Sequence, residues 1–409
     1  MPCEAVSDTT LSITGCWTTI IESSMSTSTQ LGPDTSAKSP DSSVKREPAT
    51  PLKRVTKIVV RGANWLGDTV MTLPALNLLR QSFPDSEISI ITQPGTASLV
   101  ASTGYVDHVL KYHRKERGIR EFLAMRNRLS KEKFDLAVLF QNAFEAALLV
   151  FLAGIPRRIG FSAQNRGFLL DRAVTPRPPE QIRHQVFDYI ELARVASADA
   201  PENGKISIAT SLAPPIPVLR ASEADRIAAT ALLTETGGQN QAKRSIITLN
   251  AGATNSEAKC WPEEKYAELA NRLSEEFGAH IVLIGNAAER PLAERIASAA
   301  SAGRISNLAG MTDMQTLIGI LDSSSVVIGN DTGPAHVSAA LGKPTITIFG
   351  PTNEFETAPL GPKTTIVRAE NIECQRCMLR TCPIDHRCME RISVDRVFNV
   401  ARPFLAGLR

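Results

Sequence analysis

The sequence predicts an α/β protein built on two doubly wound parallel sheets, and three observations carry that expectation. Short β-branched runs alternate with amphipathic helical stretches, as strands joined by helices require. The alternation breaks at Pro-rich segments and then starts afresh. The length, 409 residues, suits two to three domains with large cores.

The elements follow in order. KIVVRG (57–62) reads as a buried strand, and LGDTVMTLPALNLLRQSF after it carries apolar residues at helical spacing. EISIIT (87–92) and FDLAVLF (134–140) are further strands, the second followed by an apolar helix from Asn142 to Leu152. Pro-rich stretches at 176–179 and 214–217 interrupt the rhythm, and the second suits a linker. The pattern restarts with SIITLNAG (245–252) and the helix PEEKYAELANRLSEEFG. HIVLIGN (280–286), VVIGND (326–331) and TITIFGPT (345–352) complete the strands, and a last short helix is expected near 393–401. This gives a half at 53–215 and a half at 216–409, with ligands expected in the cleft between them at strand C-terminal ends.

Composition narrows the class. With 43% hydrophobic and 21% charged residues the chain is neither collagen, coiled coil nor wholly disordered. Residues 1–52 differ: 19 of them are Ser or Thr, and we expect this segment to be a disordered tail. Its start is acidic (Glu4, Asp8), and Thr14, Gly15, Thr18 and Thr19 interrupt the stretch from Leu11 to Ile21, so a signal peptide is not expected. No run approaches the roughly 18 apolar residues of a membrane span, and a cytoplasmic protein is the expectation. The net charge of +3 hides an asymmetry: 53–215 carries +7, and 216–409 is near neutral. Seven cysteines in a chain this long point to a reducing compartment rather than a disulfide scaffold.

Two strand ends concentrate candidate chemistry. In Asn64-Trp65-Leu66-Gly67-Asp68-Thr69, Asp68 suits either a helix cap or a general base facing the cleft. In Asn330-Asp331-Thr332-Gly333-Pro334-Ala335-His336, Pro334 fits a first helical turn, and the exposed amides beside Asp331 and His336 suit a diphosphate. Lys259, just before Trp261-Pro262, could neutralise a departing diphosphate. Glu289 follows a strand where ribose hydroxyls are often held, although a first-turn helix acid fits equally well.

The stretch 111–133 holds nine Lys/Arg against three Glu and reads as a solvated helical face. Arg157, Arg158, Arg166 and Arg172 flank a Gly-rich loop (Gly154, Gly160, Gly167), a better grip for phosphate or carboxylate groups. Nucleic acid is not expected, because aromatic interleaving is missing. Dinucleotide, P-loop and nucleophile-elbow motifs are absent from the sequence. Cys374, Cys377, Cys382 and Cys388 only half match a zinc-site spacing, and no metal is assigned to them.

Taken together, the segment LGDTVMTLPAL, AGIPRRIGF, NAGATNSEAKCWP and NDTGPAHVSAALGKPTITIFGPT resemble glycosyltransferase family 9, the ADP-heptose:lipopolysaccharide heptosyltransferases, from about Lys57 to the C-terminus. GANWLGD, QNAFEAALLVFLAGIPRRIGF and CQRCMLRTCPIDHRCM are most similar to the heptosyltransferase II branch. The resemblance implies a GT-B fold, two Rossmann-like domains facing a central cleft, with acceptor bound by the first half and ADP-sugar by the second. It implies inverting transfer of heptose from ADP-heptose to the inner-core heptose of lipopolysaccharide, with Asp68 as base and Lys259 on the phosphates.

In the same way Thr254, Asn255, Asp331, Thr332, Gly333 and His336 become donor-binding, Glu289 ribose-binding, and Met311 a wall of the adenine pocket. No metal or other cofactor is implied. The acceptor would be a phosphorylated Kdo-lipid A carrying one heptose, met by the basic half through Arg157, Arg158 and Arg166, with peripheral contact at the inner face of the inner membrane. A different GT-B sugar-nucleotide enzyme, such as an epimerase, or a non-catalytic sugar-nucleotide-binding protein are the other readings.

Overall fold

Two six-stranded sheets, each parallel throughout, organise the chain. They belong to a computed structural model that describes residues 54–201, 213–237, 245–254, 256–300 and 304–408; the Ser/Thr-rich tail lies outside these residues. The first sheet uses β1 (Lys57–Arg61), β2 (Glu87–Thr92), β3 (His108–Lys111), β4 (Leu136–Leu139), β5 (Arg157–Phe161) and β6 (Arg172–Val174). Their spatial order is β3-β2-β1-β4-β5-β6. The second uses β7 (Ile246–Asn250), β8 (His280–Leu283), β9 (Ile305–Asn307), β10 (Ser324–Asn330), β11 (Thr345–Phe349) and β12 (Thr364–Arg368). Its order, β12-β11-β10-β7-β8-β9, is the same topology repeated. Central strands are apolar on both faces because helices cover both: Ile58, Val59 and Val60 of β1 are fully buried.

In each half the order reverses beside the first strand, so a crevice opens at the carboxyl ends of β1 and β4, and of β7 and β10. The helices leaving β1 (Leu66–Ser82) and β10 (Gly333–Ala340) meet end to end across the cleft. Each contact uses a glycine, Gly67 against His336 and Gly333 against Leu66. The Leu66–Ser82 helix packs on the Val186–Ser197 helix, where the hydroxyls of Ser82 and Ser197 lie 2.8 Å apart. One apolar cluster runs through both halves, joining Val60, Leu76 and Phe140 to Leu219, Leu317, Val327 and Val337.

Several elements differ from expectation. The segment read as an Arg-bearing loop contains β5 and β6, because Arg157 and Arg158 turn their charges out of the sheet while Ile159 and Phe161 are buried. β3, β9 and β12 are short or half-exposed strands whose sequences carry little alternation. The last helix runs over Val394–Leu405, capped by the Ser393 hydroxyl, which accepts from Arg396 N at 3.2 Å. Residues 213–222 form no regular element and reach the second half early, where Leu219 N donates to Ala340 O.

Candidate active site

Asp68 enters the cleft because β1 ends at Arg61 and the chain turns through Gly62 to Trp65 into the next helix. The capping expectation is not realised. The helix begins after Trp65 with no side-chain cap, and Asp68 sits in its first turn accepting no hydrogen bond among the described residues. Burial raises its carboxyl to about 6, with Lys259 pulling the value down and Asp331 pushing it up. An unengaged carboxylate with that proton affinity suits proton abstraction near neutral pH.

The opposing wall is built on two asparagines at adjacent strand ends. Buried Asn330 accepts from Trp261 N (3.1 Å) and the Tyr266 hydroxyl (3.0 Å), and donates to Ala251 O (2.7 Å). Asn250 accepts from the Thr332 hydroxyl at 2.6 Å and donates to Ile284 O at 3.2 Å. Thr332 therefore does not cap the Gly333–Ala340 helix, whose first turn has no side-chain partner for its amides. Lys259 closes a one-turn 3₁₀ helix, and its ammonium donates to the Asp331 carboxylate at 2.9 Å and carbonyl at 3.0 Å. Asp68, Lys259 and Asp331 thus converge, as their mutual effects on the Asp68 carboxyl require.

His336 is buried beside Gly67, and burial lowers its imidazole to about 4, so it is neutral at pH 7. His184, which the sequence did not suggest, is equally buried and lowered to about 4. Its Nδ1 accepts from Val186 N at 3.2 Å, so Nε2 carries the proton donated to Ala358 O at 2.8 Å. With Arg177 Nη2 on Glu356 Oε1 (2.9 Å) and Gln185 N on Glu356 O (2.9 Å), the strap 176–185 ties the first half to the second. Tyr189 is another residue revealed only by the fold: its buried phenol feels the Asp68 charge.

The remaining expected residues take varied places. Glu289 realises the helix-acid alternative. It forms a reciprocal capping box with Asn286, whose backbone N–H donates to Glu289 Oε2 at 2.9 Å. Thr254 joins this rim by accepting from Asn286 Nδ2 at 3.0 Å. Asn255 lies outside the described residues. Met311 stands partly exposed beyond Gly310. Arg166 cannot grip an acceptor as placed: it is fully buried and donates to Phe161 O (2.9 Å), Ala143 O (3.1 Å) and Asn142 Oδ1 (3.1 Å), so it braces the strand-end loops instead. Arg157 reaches Asp199 at 3.5 Å, and Arg158 donates to Leu169 O at 2.7 Å. The Cys-rich segment clamps the Lys259 turn, with Ala258 N donating to Arg380 O (3.0 Å) and His386 Nε2 within 2.7 Å of Ala258 O. Among the described residues no three His, Cys, Asp or Glu side chains are set to hold a metal ion.

With that geometry in place, comparison with known proteins is decisive. Glycosyltransferase family 9 (heptosyltransferase) matches residues 122–387. The chain belongs to this family. The lipopolysaccharide heptosyltransferase 2 of Escherichia coli K12 is 29% identical over 322 residues, 76% of this chain and 88% of that protein. The lipooligosaccharide heptosyltransferase 2 of Haemophilus ducreyi is 30% identical over 320 residues, with the same coverage of 76% and 88%. Among solved structures, the E. coli ADP-heptose lps heptosyltransferase II superposes with a TM-score of 0.71 at 26% identity, over 86% of this chain and 99% of that one. A family 9 glycosyl transferase from Veillonella parvula reaches the same TM-score, 0.71, at 19% identity, over 87% and 98%, and shares the fold. The protein is a GT-B glycosyltransferase of the sugar-nucleotide-using kind, closely related to the lipopolysaccharide heptosyltransferases.

Proposed function

We propose that the protein transfers heptose from ADP-heptose, with inversion, to a hydroxyl of the inner-core heptose of a phosphorylated Kdo-lipid A acceptor. The observation that carries this reading is Asp68: a carboxylate with a proton affinity near 6, set across the cleft from Lys259 and an uncapped helix end. In the proposed step the acceptor oxygen attacks the anomeric carbon and its proton passes to Asp68. The bond from that carbon to the diphosphate oxygen breaks, and its electron pair leaves with ADP. Lys259, exchanging its contact with Asp331 for the diphosphate, and the amides around Gly333 stabilise the growing charge. His336 is kept neutral by burial, so the positive side-chain charge in this step comes from Lys259. Thr254, Glu289 and Met311 lie toward the β8 side, where the adenosine would extend. The reading places the protein in the cytoplasm, where thiols such as those of the Cys-rich segment stay reduced.

The test is a mass-spectrometric transfer assay offering ADP-heptose and competing sugar nucleotides to a core-truncated acceptor with one heptose. Acceptor mass should rise by one heptose with ADP-heptose alone. Conversion of the nucleotide sugar without acceptor, or preference for another donor, would overturn the assignment.

A further inference from the structure

Thr352, just past the end of β11, is a buried side chain that the fold does not use. It is 8% exposed, and its hydroxyl has no hydrogen-bond partner among the described residues. Buried hydroxyls are ordinarily paired, because an unpaired one gives up its hydration for nothing in exchange. Thr248 and Thr345 of the same sheet follow that rule, meeting Ser324 at 2.7 Å and Ser338 at 2.8 Å. Arg61 Nε, at the end of β1, is also unpaired, but the rest of that guanidinium donates to Gly62 O, Ile91 O and Asn64 Oδ1. Thr352 has a single polar side-chain atom, and it is idle.

The residue sits where the two halves close on each other. β11 ends at Phe349, and residues 350–353 cross the carboxyl end of the sheet to a short helix, Glu354–Thr357. The strap from the first half seats there, with Gln185 N on Glu356 O and His184 Nε2 on Ala358 O. From the Cys-rich segment, Met378 N donates to Pro351 O at 2.9 Å. Asn353 caps the short helix, its side chain accepting from Phe355 N at 3.3 Å. Other groups therefore hold the turn, and the Thr352 hydroxyl adds nothing to holding it.

We propose that the Thr352 hydroxyl binds a hydroxyl of the donor's sugar and helps to select that sugar. The argument is one of order along the sheet, β12-β11-β10-β7-β8-β9. In the proposed reaction, on which this inference rests, adenosine extends toward β8, where Glu289 stands. The diphosphate meets Lys259 and the Gly333 amides beside the end of β10. The sugar then falls over the next strand, β11, whose carboxyl end carries Thr352. From β8 to β11 is three strand spacings, about 14 Å, the reach of a ribose, a diphosphate and a sugar ring in line. A neutral hydroxyl, at once donor and acceptor, matches a sugar hydroxyl better than a diphosphate oxygen, which cations and amides serve.

The experiment uses the full chain and three readouts: transfer from ADP-heptose, inhibition by ADP, and unfolding in urea. Thr352→Val exchanges the hydroxyl for a methyl group of nearly the same shape. It should raise the urea midpoint, since it removes a buried unpaired polar group. It should also lower kcat/KM for ADP-heptose roughly tenfold, because the sugar hydroxyl is left without its partner. Inhibition by ADP, which lacks the sugar, should stay as in the wild type. Thr352→Ser, which keeps the oxygen, should recover most of the lost kcat/KM. A lower urea midpoint in Thr352→Val would show a hydroxyl that serves the fold and would overturn the proposal. So would an undiminished kcat/KM, or a loss matched by equally weakened inhibition by ADP. Wild-type protein that binds ADP but transfers no heptose would bring down the proposed reaction, and this inference with it.

Discussion

Replacing Gly67 by alanine tests whether the two halves meet in solution as they do here. The backbone of Gly67 needs no unusual conformation, so the effect of a methyl group is purely steric. An added Cβ would lie 2.9 Å from Cδ2 and 3.1 Å from Nε2 of His336, where ordinary contacts begin near 3.4 Å. His336 is buried and cannot swing aside, so the helix ends must part by roughly half an ångström. Overpacking of this kind costs ~1–3 kcal/mol. Alanine's advantage over glycine inside a helix is at most ~1 kcal/mol and smaller in a first turn, so the clash prevails. Unfolding in urea should show a net loss of ~1–2 kcal/mol. Turnover should fall more steeply, since displacing Asp68 from Lys259 by up to an ångström can cost ~10²-fold. Gly95→Ala, where an added Cβ meets nothing within 4 Å, is the control and should leave both quantities unchanged. A G67A protein as stable and active as wild type would refute the reasoning, because the helix ends could not then be in contact.

Other expectations follow from the same geometry. Asp68→Asn should lower kcat by ~10²–10⁴-fold with ADP affinity nearly intact, and unchanged turnover would remove Asp68 from the chemistry. In the wild type kcat/KM should rise with pH through about 6 as the carboxyl loses its proton, and a profile flat from pH 5 to 8 would contradict the assignment. Stability should move the same way for a different reason. His184 and His336 stay neutral in the fold down to about 4 against 6.5 when unfolded, while Asp68 keeps its proton up to about 6 against 3.8. Near pH 5 the unfolded chain therefore holds about one proton more from these three groups, and the unfolding free energy should drop by ~1.4 kcal/mol per pH unit between 6 and 5. Urea titrations at pH 7, 6 and 5 check this, and a rise on acidification would contradict it. Asn330→Ala strands the Trp261 amide and the Ala251 carbonyl, while the Tyr266 hydroxyl keeps Asn250 O at 3.2 Å, and should cost ~2–4 kcal/mol in the same assay.

Much of this was legible in the residues because central parallel strands are written as unbroken apolar runs. KIVVR, EISIIT and TITIF can hardly be anything else. Edge strands lack that signature: RAV of β6 and ISN of β9 are three residues long and partly exposed. RRIGF of β5 hid behind two arginines, which read as a binding loop because charge says nothing about where a guanidinium spends its hydrogen bonds. Arg166 makes the same point more sharply, being wholly enclosed by carbonyls from Gln141 to Phe161. Asp68 and Asp331 could be read because each follows closely on a strand end, where topology collects ligands, and Lys259 because it stands in the loop between β7 and the Glu263–Phe277 helix. His184 could not, since its partner Ala358 is 174 residues away and only folding brings the strap to it.

The apolar cluster shared by both halves bears on how the molecule comes apart. Leu219 and Ala221 come from the connection, Leu317, Ile318 and Val337 from the second half, and Leu73, Leu76 and Tyr189 from the first, all within one seam. Opening that seam would uncover much of the interior that gives each sheet its helical cover. The two halves should therefore melt in a single cooperative step rather than one after the other. A chain severed within 213–222 would yield fragments that aggregate or recombine, not two free-standing domains. Symmetry divides this protein into two sheets, but cohesion makes it one folding unit.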